Sequence, residues 1–343
     1  MAAVLCLGEA LIDRLGPPGG DPAADPTICE DRLGGAPANV ACALARLGTT
    51  SAFVGRLGRD ATGTAFEQLF AARGVDQRAL QWDEQRPSRI VLVRRDAWGE
   101  REFGGFTGDA GAGFADQALA AEQWSAAHGP LLAQARWLLL GTIPLATPAA
   151  AETAMLAIAQ AEAAGMAIAI DVNWRPTFWN PTADPGSGPT PEQRRQILAL
   201  LQHARLIKCT AEEALWLFET TDPRAISTAL PAGPLVVVTD GARPLRWGSC
   251  GGISGCLQPF AVTVVDSTGA GDAFSAGLLH RLCSIAPALS SGLEALEPTA
   301  LAKHMRFASA CGALVCQGAG AIDPQPSVAL VQAFLQAQRD GLG

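Results

Sequence analysis

VDSTGAGDAFSAGLL, residues 265–279, is the stretch from which the rest of this chain is read. Apolar residues ending at Val265 are expected to close a strand, and a Gly-Ala-Gly turn follows at 269–271. Asp272 then opens an Ala/Phe/Leu pattern at helical spacing (Ala273, Phe274, Ala276, Leu278). Small residues let the backbone bend tightly and let another group come close to it. The first N–H groups of a helix have no intrahelical partner, and the helix dipole adds partial positive charge. Such a turn can hold an anion, phosphate in particular, and a carboxylate at its rim can accept a proton from a hydroxyl. The same residues also suit a plain strand-to-helix turn with Asp272 as a cap.

Working outward, an apolar run at 4–11 ends in Ile12-Asp13 and reads as a buried parallel strand, with Glu9 and Asp13 near its carboxyl end, where open α/β sheets bind ligands. Residues 15–31 are rich in Pro, Gly and Asp, so a loop is expected there, with at most short strands such as 27–33. In LGGAPANVACALARLG (33–48), Gly34-Gly35 forms a tight turn, Pro37 suits a first helical turn, and Val40, Ala43, Leu44 and Leu47 make an apolar stripe. RIVLVRR (89–95) and REFGGF (101–106) read as a hairpin turning at Trp98-Gly99, outside the helix–strand rhythm. From Trp137 onward strands and helices alternate: a strand at 138–140, an Ala-rich helix at 148–164, a strand at 166–171. That alternation specifies a parallel sheet with helices on both faces. DVNWRPTFW (171–179) ends one strand in Asp171, Asn173 and Arg175, and 180–191 is an exposed loop. A strand and helix follow in LIKCTAEEALWLF (206–218), a β-branched strand at 235–240, a hairpin-like excursion at 247–259, and a long small-residue helix at 298–316.

The string DSTGAGDAF resembles the second signature of the ribokinase-like (PfkB) carbohydrate kinases, and GGAPAN with the later GRLGRDATG (55–63) resembles the first. GEALID (8–13) and DVNWRP are similar to the fructokinase-type members, so the resemblance runs through nearly the whole chain. It implies a ribokinase-like α/β fold, a mostly parallel sheet flanked by helices with a small β-strand lid, as a single kinase domain over 1–343 with lid strands within about 15–33 and 88–107.

The resemblance also assigns roles. Asp272 is the catalytic base, the Gly269, Ala270 and Gly271 N–H groups form the anion hole, and Arg175 serves the transferring phosphate. Asp13, Gly34, Gly35, Asn39 and Asn173 are substrate-binding, and Phe103 and Phe106 lie near the sugar. Lys208, Thr210, Thr239, Gly241, Gly269, Gly271 and Ser309 are nucleotide-binding; Thr210 and Ser309 stand where many members carry Asn, and Pro244 replaces a usual Gly. Glu213 organises Mg2+ through water, and Asp266 and Thr268, with the loop 318–321, line a monovalent-cation site for K+. The reaction implied is ATP-dependent phosphorylation of a sugar's primary hydroxyl, with fructose as the sugar. 2-Keto-3-deoxygluconate is the alternative, ribose and adenosine fit less well, and a non-catalytic binder on the same fold would be expected to lose Asp272 or the Gly-Ala-Gly turn. A homodimer through the lid is also implied.

Composition agrees with this reading. The 343 residues carry a formal charge of −8, which disfavours sequence-independent nucleic-acid binding. Nine cysteines without a metal-like pair read as reduced cytoplasmic thiols, and the four histidines show no metal spacing. The chain start has no charged segment before an apolar run, as a signal peptide would, and the apolar tract 137–170 is broken by prolines and glutamates, so no membrane span is expected. No G-x-G-x-x-G follows the first strand, which disfavours a dinucleotide oxidoreductase.

Overall fold

A computed structural model of the chain describes residues 2–20, 23, 25–95, 101–285 and 297–340. Among these, strands run in chain order as β1 (Val4–Leu7), β2 (Leu11–Pro18), β3 (Glu30–Gly34), β4 (Ser51–Gly58), β5 (Leu80–Asp83), β6 (Ile90–Arg95), β7 (Arg101–Thr107), β8 (Trp137–Leu140), β9 (Ala167–Asp171), β10 (Leu206–Thr210), β11 (Leu235–Asp240), β12 (Arg243–Gly248) and β13 (Ser254–Leu257). Nine of them form one sheet in the order β13-β12-β11-β10-β9-β8-β1-β4-β5. It is parallel from β5 to β11, and β12 and β13 close one edge antiparallel.

Side chains alternate across the strands, and both faces are buried. Val4, Cys6, Phe53 and Val237 face a layer built on the helices Ala36–Arg46, Ala270–Cys283 and Pro298–Val315. Leu5, Leu7, Ile168, Ile170 and Val238 face the layer of Pro148–Ala163, Pro191–Leu201 and Ala211–Phe218. Three layers with a parallel centre are what the alternating sequence specifies, and the expected α/β fold is the observed one.

The remaining four strands form a separate sheet, β3-β2-β6-β7, which is the lid. Its strands fall close to the expected stretches, but its origin corrects the sequence reading. The run 4–13 is not one strand. Gly8 takes φ +148, and a Cβ there would lie 2.7 Å from Pro37 Cγ, so the chain turns after Leu7. It resumes as β2, which carries Asp13 on the lid rather than at the end of the central strand and continues as strand to Pro18, into the stretch expected to be loop. β6 and β7 pair antiparallel as the hairpin reading requires, and the turn at Trp98-Gly99 lies outside the described residues.

A second correction concerns the approach to the anion-hole turn. No strand precedes Asp266: residues 258–265 lie outside the sheet, Val264 and Val265 are exposed, and the Val265 N–H donates to Cys316 O at 2.8 Å. The sheet ends at β13, and these β-branched residues pair with none of its strands. None of the nine cysteines is disulfide-bonded. No helix among the described residues is long and apolar enough to cross a membrane.

Candidate active site

A cavity of about 670 Å3 opens between the carboxyl edge of the large sheet and the lid. Its floor is the turn before the helix Ala270–Cys283. Gly269 caps that helix with φ +77, and a Cβ there would stand 2.5 Å from Ala321 Cβ, so only glycine fits. Gly269, Gly271 and Asp272 line the cavity. Ala270 does not; its N–H turns to Ser267 O at 3.2 Å.

Asp272 lies in the first turn of this helix, and Asn39 in the first turns of Ala36–Arg46. The Asn39 amide donates from Nδ2 to Asp272 Oδ2 at 2.7 Å. Burial pushes the Asp272 carboxyl up to about 6; the nearby Asp171 charge adds to the rise, and the Asn39 hydrogen bond, Lys208 and Arg175 oppose it. A carboxylate poised near neutrality is suited to take a proton. Glu9 also lines the cavity, is buried, and accepts the Ala36 N–H on Oε1 at 3.0 Å. Burial pushes its carboxyl up to about 8.

The strand ends supply the next wall. Asp171, at the end of β9, accepts Lys208 Nζ on both oxygens, at 2.8 and 2.7 Å. Burial opposes the Lys208 charge and the Asp171 carboxylate favours it, leaving the ammonium above its ordinary value. Asn173 adopts φ +42, a left-handed conformation that an Asn tolerates better than most side chains. Asn173 and the exposed Arg175 both line the cavity. Glu213 is buried; its Oε1 accepts the Trp174 N–H at 2.7 Å and its Oε2 the Thr210 N–H at 2.8 Å, while Thr210 Oγ1 accepts the Glu213 N–H at 3.1 Å. This is a capping box for Ala211–Phe218 that also fixes the β9 loop. Burial raises the Glu213 carboxyl.

On the lid side, Asp13, Leu11, Val91, Val93 and Phe103 face the cavity, with Gly35 beside them. Gly34 does not line it, but a Cβ there would lie 2.8 Å from Asp13 Oδ2, so its glycine makes room for that carboxylate. Phe106 is drawn away into a cluster on Arg89, whose guanidinium stacks 4.8, 4.5 and 4.7 Å from the rings of Phe106, Phe114 and Phe178. Arg89 is 3% exposed and bonds Asp116 through Nε at 2.8 Å and Nη2 at 2.9 Å.

Toward the other end, Thr210, Thr239, Ser267 and Thr268 line the cavity, whereas Gly241, Ser309 and Asp266 do not. Asp266 accepts the Thr268 N–H at 3.0 Å and the Gly320 N–H at 2.7 Å, which ties the 318–321 loop to the turn.

Comparison with known proteins decides what this site belongs to. The model of the pfkB family of carbohydrate kinases matches residues 1–328. The chain belongs to that family. It is 32% identical over 339 residues to a probable chloroplastic fructokinase-6 of Arabidopsis thaliana, covering 97% of this chain and 83% of the relative. Among solved structures it is similar to a fructokinase with bound ATP from Xylella fastidiosa, with a TM-score of 0.81, 28% identity, and coverage of 99% of this chain and 100% of the other. A Vibrio cholerae fructokinase, described in its fructose-, ADP- and calcium-bound form, gives a TM-score of 0.78 at 29% identity over 98% and 99% of the two chains. This pfkB carbohydrate kinase thus has the fold of its relatives from end to end.

Several residues of the kinase site were not singled out from the sequence. Ser275 bonds Asp171, the partner of Lys208; Thr177 and Phe178 extend the DVNWRP wall; and Pro185 of the 180–191 loop reaches the cavity. The DVNWRPTFW string contained the signal for Thr177 and Phe178. Nothing local marks Ser275, which sits inside an ordinary helical pattern.

Proposed function

We propose that this pfkB kinase is an ATP-dependent fructokinase that places the γ-phosphoryl group on the terminal primary hydroxyl of fructose. The observation that carries this reading is the chemistry of the sugar-side wall. Glu9, Asp13, Asn39 and Asn173 offer carboxylate and amide groups, and apolar Leu11, Val91, Val93 and Phe103 line the same cavity beside Asp13 on the lid. Of the basic residues near this wall, Arg89 is committed to Asp116 and Lys208 to Asp171, and the exposed Arg175, which lines the same cavity, is assigned to the phosphoryl group. A sugar acid would bring its carboxylate against Asp13, whereas a neutral sugar brings hydroxyls that carboxylate and amide groups bind. Similarity to the Vibrio cholerae fructokinase with fructose bound points the same way.

In the reaction, Asp272 accepts the proton of the hydroxyl as its oxygen attacks the γ-phosphorus. The bond from that phosphorus to the β–γ bridging oxygen breaks, and ADP leaves with the electron pair. The Gly269–Gly271 turn and the helix start stabilise the charge on the transferring group, and Arg175 adds a planar cation. Thr210, Thr239, Ser267 and Thr268 serve the nucleotide.

Mg2+ fits this donor set. An ion bound chiefly by nucleotide phosphates and waters needs few protein ligands, and the carboxylates of Glu213 and Asp272 line the same cavity. Glu213, whose oxygens face the cavity while held by two backbone N–H groups, would orient those waters. The ion would neutralise charge on the phosphates. K+ would be held by Thr268 and the 318–321 loop, which the Gly320 N–H ties to Asp266. We further place the kinase in the cytoplasm, in keeping with nine cysteines that form no disulfide, and a homodimer contact at the lid, whose edge strands are β3 and β7.

The test is coupled ADP release over fructose, 2-keto-3-deoxygluconate, ribose and adenosine. Fructose is expected to have the highest kcat/KM. A tenfold or greater preference for the keto acid would overturn fructose and leave the kinase assignment standing.

A further inference from the structure

The cavity floor contains an ion pair that the reaction as written does not use. Lys208 and Asp171 are nearly enclosed, at 12% and 10% side-chain exposure, yet both line the cavity. The Ser275 hydroxyl donates to Asp171 Oδ2 at 3.0 Å. Ser275 lies three residues after Asp272 on one helix, so the helix that presents the base also fixes this carboxylate. On the other side of the cation, a Cβ on Gly271 would stand 3.0 Å from Nζ. Glycine at 271 therefore leaves the ammonium room to approach the turn.

A purely structural reading of the pair is weak. β9 and β10 are already paired in register at Asp171 and Lys208, and the Val172 N–H donates to Lys208 O at 2.9 Å. Burying two charges to join strands already joined would cost desolvation for no gain in topology. An ammonium has three N–H donors, and the two Asp171 oxygens occupy at most two of them. The third is left for the side where Gly271 and the cavity lie.

We propose that Asp171 and Ser275 are positioning residues that hold the Lys208 ammonium against Gly271, so that the anion hole carries a fixed full positive charge beside its backbone N–H groups. The inference rests on the kinase reading above, because the anion it serves is the transferring phosphoryl group. A free lysine would be a mobile, well-hydrated charge. Pinned by Asp171, and through Asp171 by Ser275, it needs no reorganisation when charge develops on the phosphoryl oxygens.

The test is a neutral replacement of the pair, Asp171→Asn with Lys208→Met, assayed by thermal melting and by steady-state ADP release with the sugar that the wild type turns over fastest. Neutral groups of similar volume commonly preserve the stability of a buried ion pair. The double variant is expected to melt within a few degrees of the wild type, keep its KM for the sugar, and lose at least tenfold in kcat. A folded double variant with wild-type kcat would make the pair structural only and overturn the proposal. If the double variant does not fold, Ser275→Ala decides. The expectation is a fall in kcat of about three- to tenfold, the equivalent of one hydrogen bond, with sugar KM unchanged. An unchanged kcat in that variant overturns the proposal. Absence of turnover by the wild type with every sugar defeats the kinase reading and this inference with it, whereas a wild-type rate kept by the variants defeats this inference alone.

Discussion

The amide of Asn39 reaches the carboxylate of Asp272 across 233 positions of sequence, with Nδ2 2.7 Å from Oδ2. Two helix starts from opposite ends of the chain thus converge on one oxygen. The bond favours the charged form of Asp272, whose carboxyl burial has pushed up to about 6. The other Asn39 atom, Oδ1, is buried with no hydrogen-bond partner among the described residues.

A pH profile reads this pair. Asp272 must be ionised to act as base, so kcat/KM should fall below about pH 6, by one decade per pH unit at the limit. Asn39→Ala removes a bond to the charged form, so the acidic limb should move up by roughly one pH unit. Sugar KM should rise as well. A limb that stays in place would mean that Asp272 is not the group being titrated.

Glu9 makes the opposite kind of prediction, about stability. Its carboxyl ionises near 4.5 in the unfolded chain and at about 8 in the fold. Between those values the folded state binds more protons, so stability falls as pH rises through the window, and the full cost is present above about pH 8. Glu9→Gln removes the charge and keeps an acceptor for the Ala36 N–H. The variant should gain a few degrees in Tm relative to wild type at pH 9, and much less at pH 5. An equal gain at both would show that Glu9 does not titrate as its burial dictates.

Arg89 is enclosed by three aromatic rings and held by Asp116 in a two-bonded fork. Phe106 belongs to β7 of the lid, while Phe178 follows Arg175 in the β9 loop, so one side chain fastens the lid to the catalytic wall. Arg89→Met leaves Asp116 buried and unpaired, and should cost about 3–5 kcal/mol in urea unfolding. Arg89→Lys should recover only part of this, because lysine cannot supply the planar fork or the stacking. Full recovery by lysine would reduce the role of Arg89 to its charge.

What could be read from the sequence was local. Gly269 must be glycine because of its own backbone angle and its closeness to Ala321, and the strings around it carry that requirement openly. The parallel core was legible because apolar strand runs alternate with helical stripes. Asp13 was placed at the end of the wrong strand because the turn at Gly8 is imposed by packing on Pro37, 29 residues on, which no local pattern announces. Val264 and Val265 have strand propensity, but they join no strand, and the Val265 N–H is taken by the Cys316 carbonyl. The pairing of Arg89 with Asp116, and of Lys208 with Asp171 and Ser275, depends on tertiary neighbours that charge patterns alone do not identify.

The account stands on Asp272 as the base of sugar phosphorylation, and one substitution tests that most directly. Asp272→Asn keeps the size of the side chain and removes its capacity to accept a proton. With fructose and ATP, kcat should fall by roughly 10²–10⁴-fold, while calorimetric titration shows ATP still binding. A variant that binds ATP and turns over fructose at close to the wild-type rate would contradict the account.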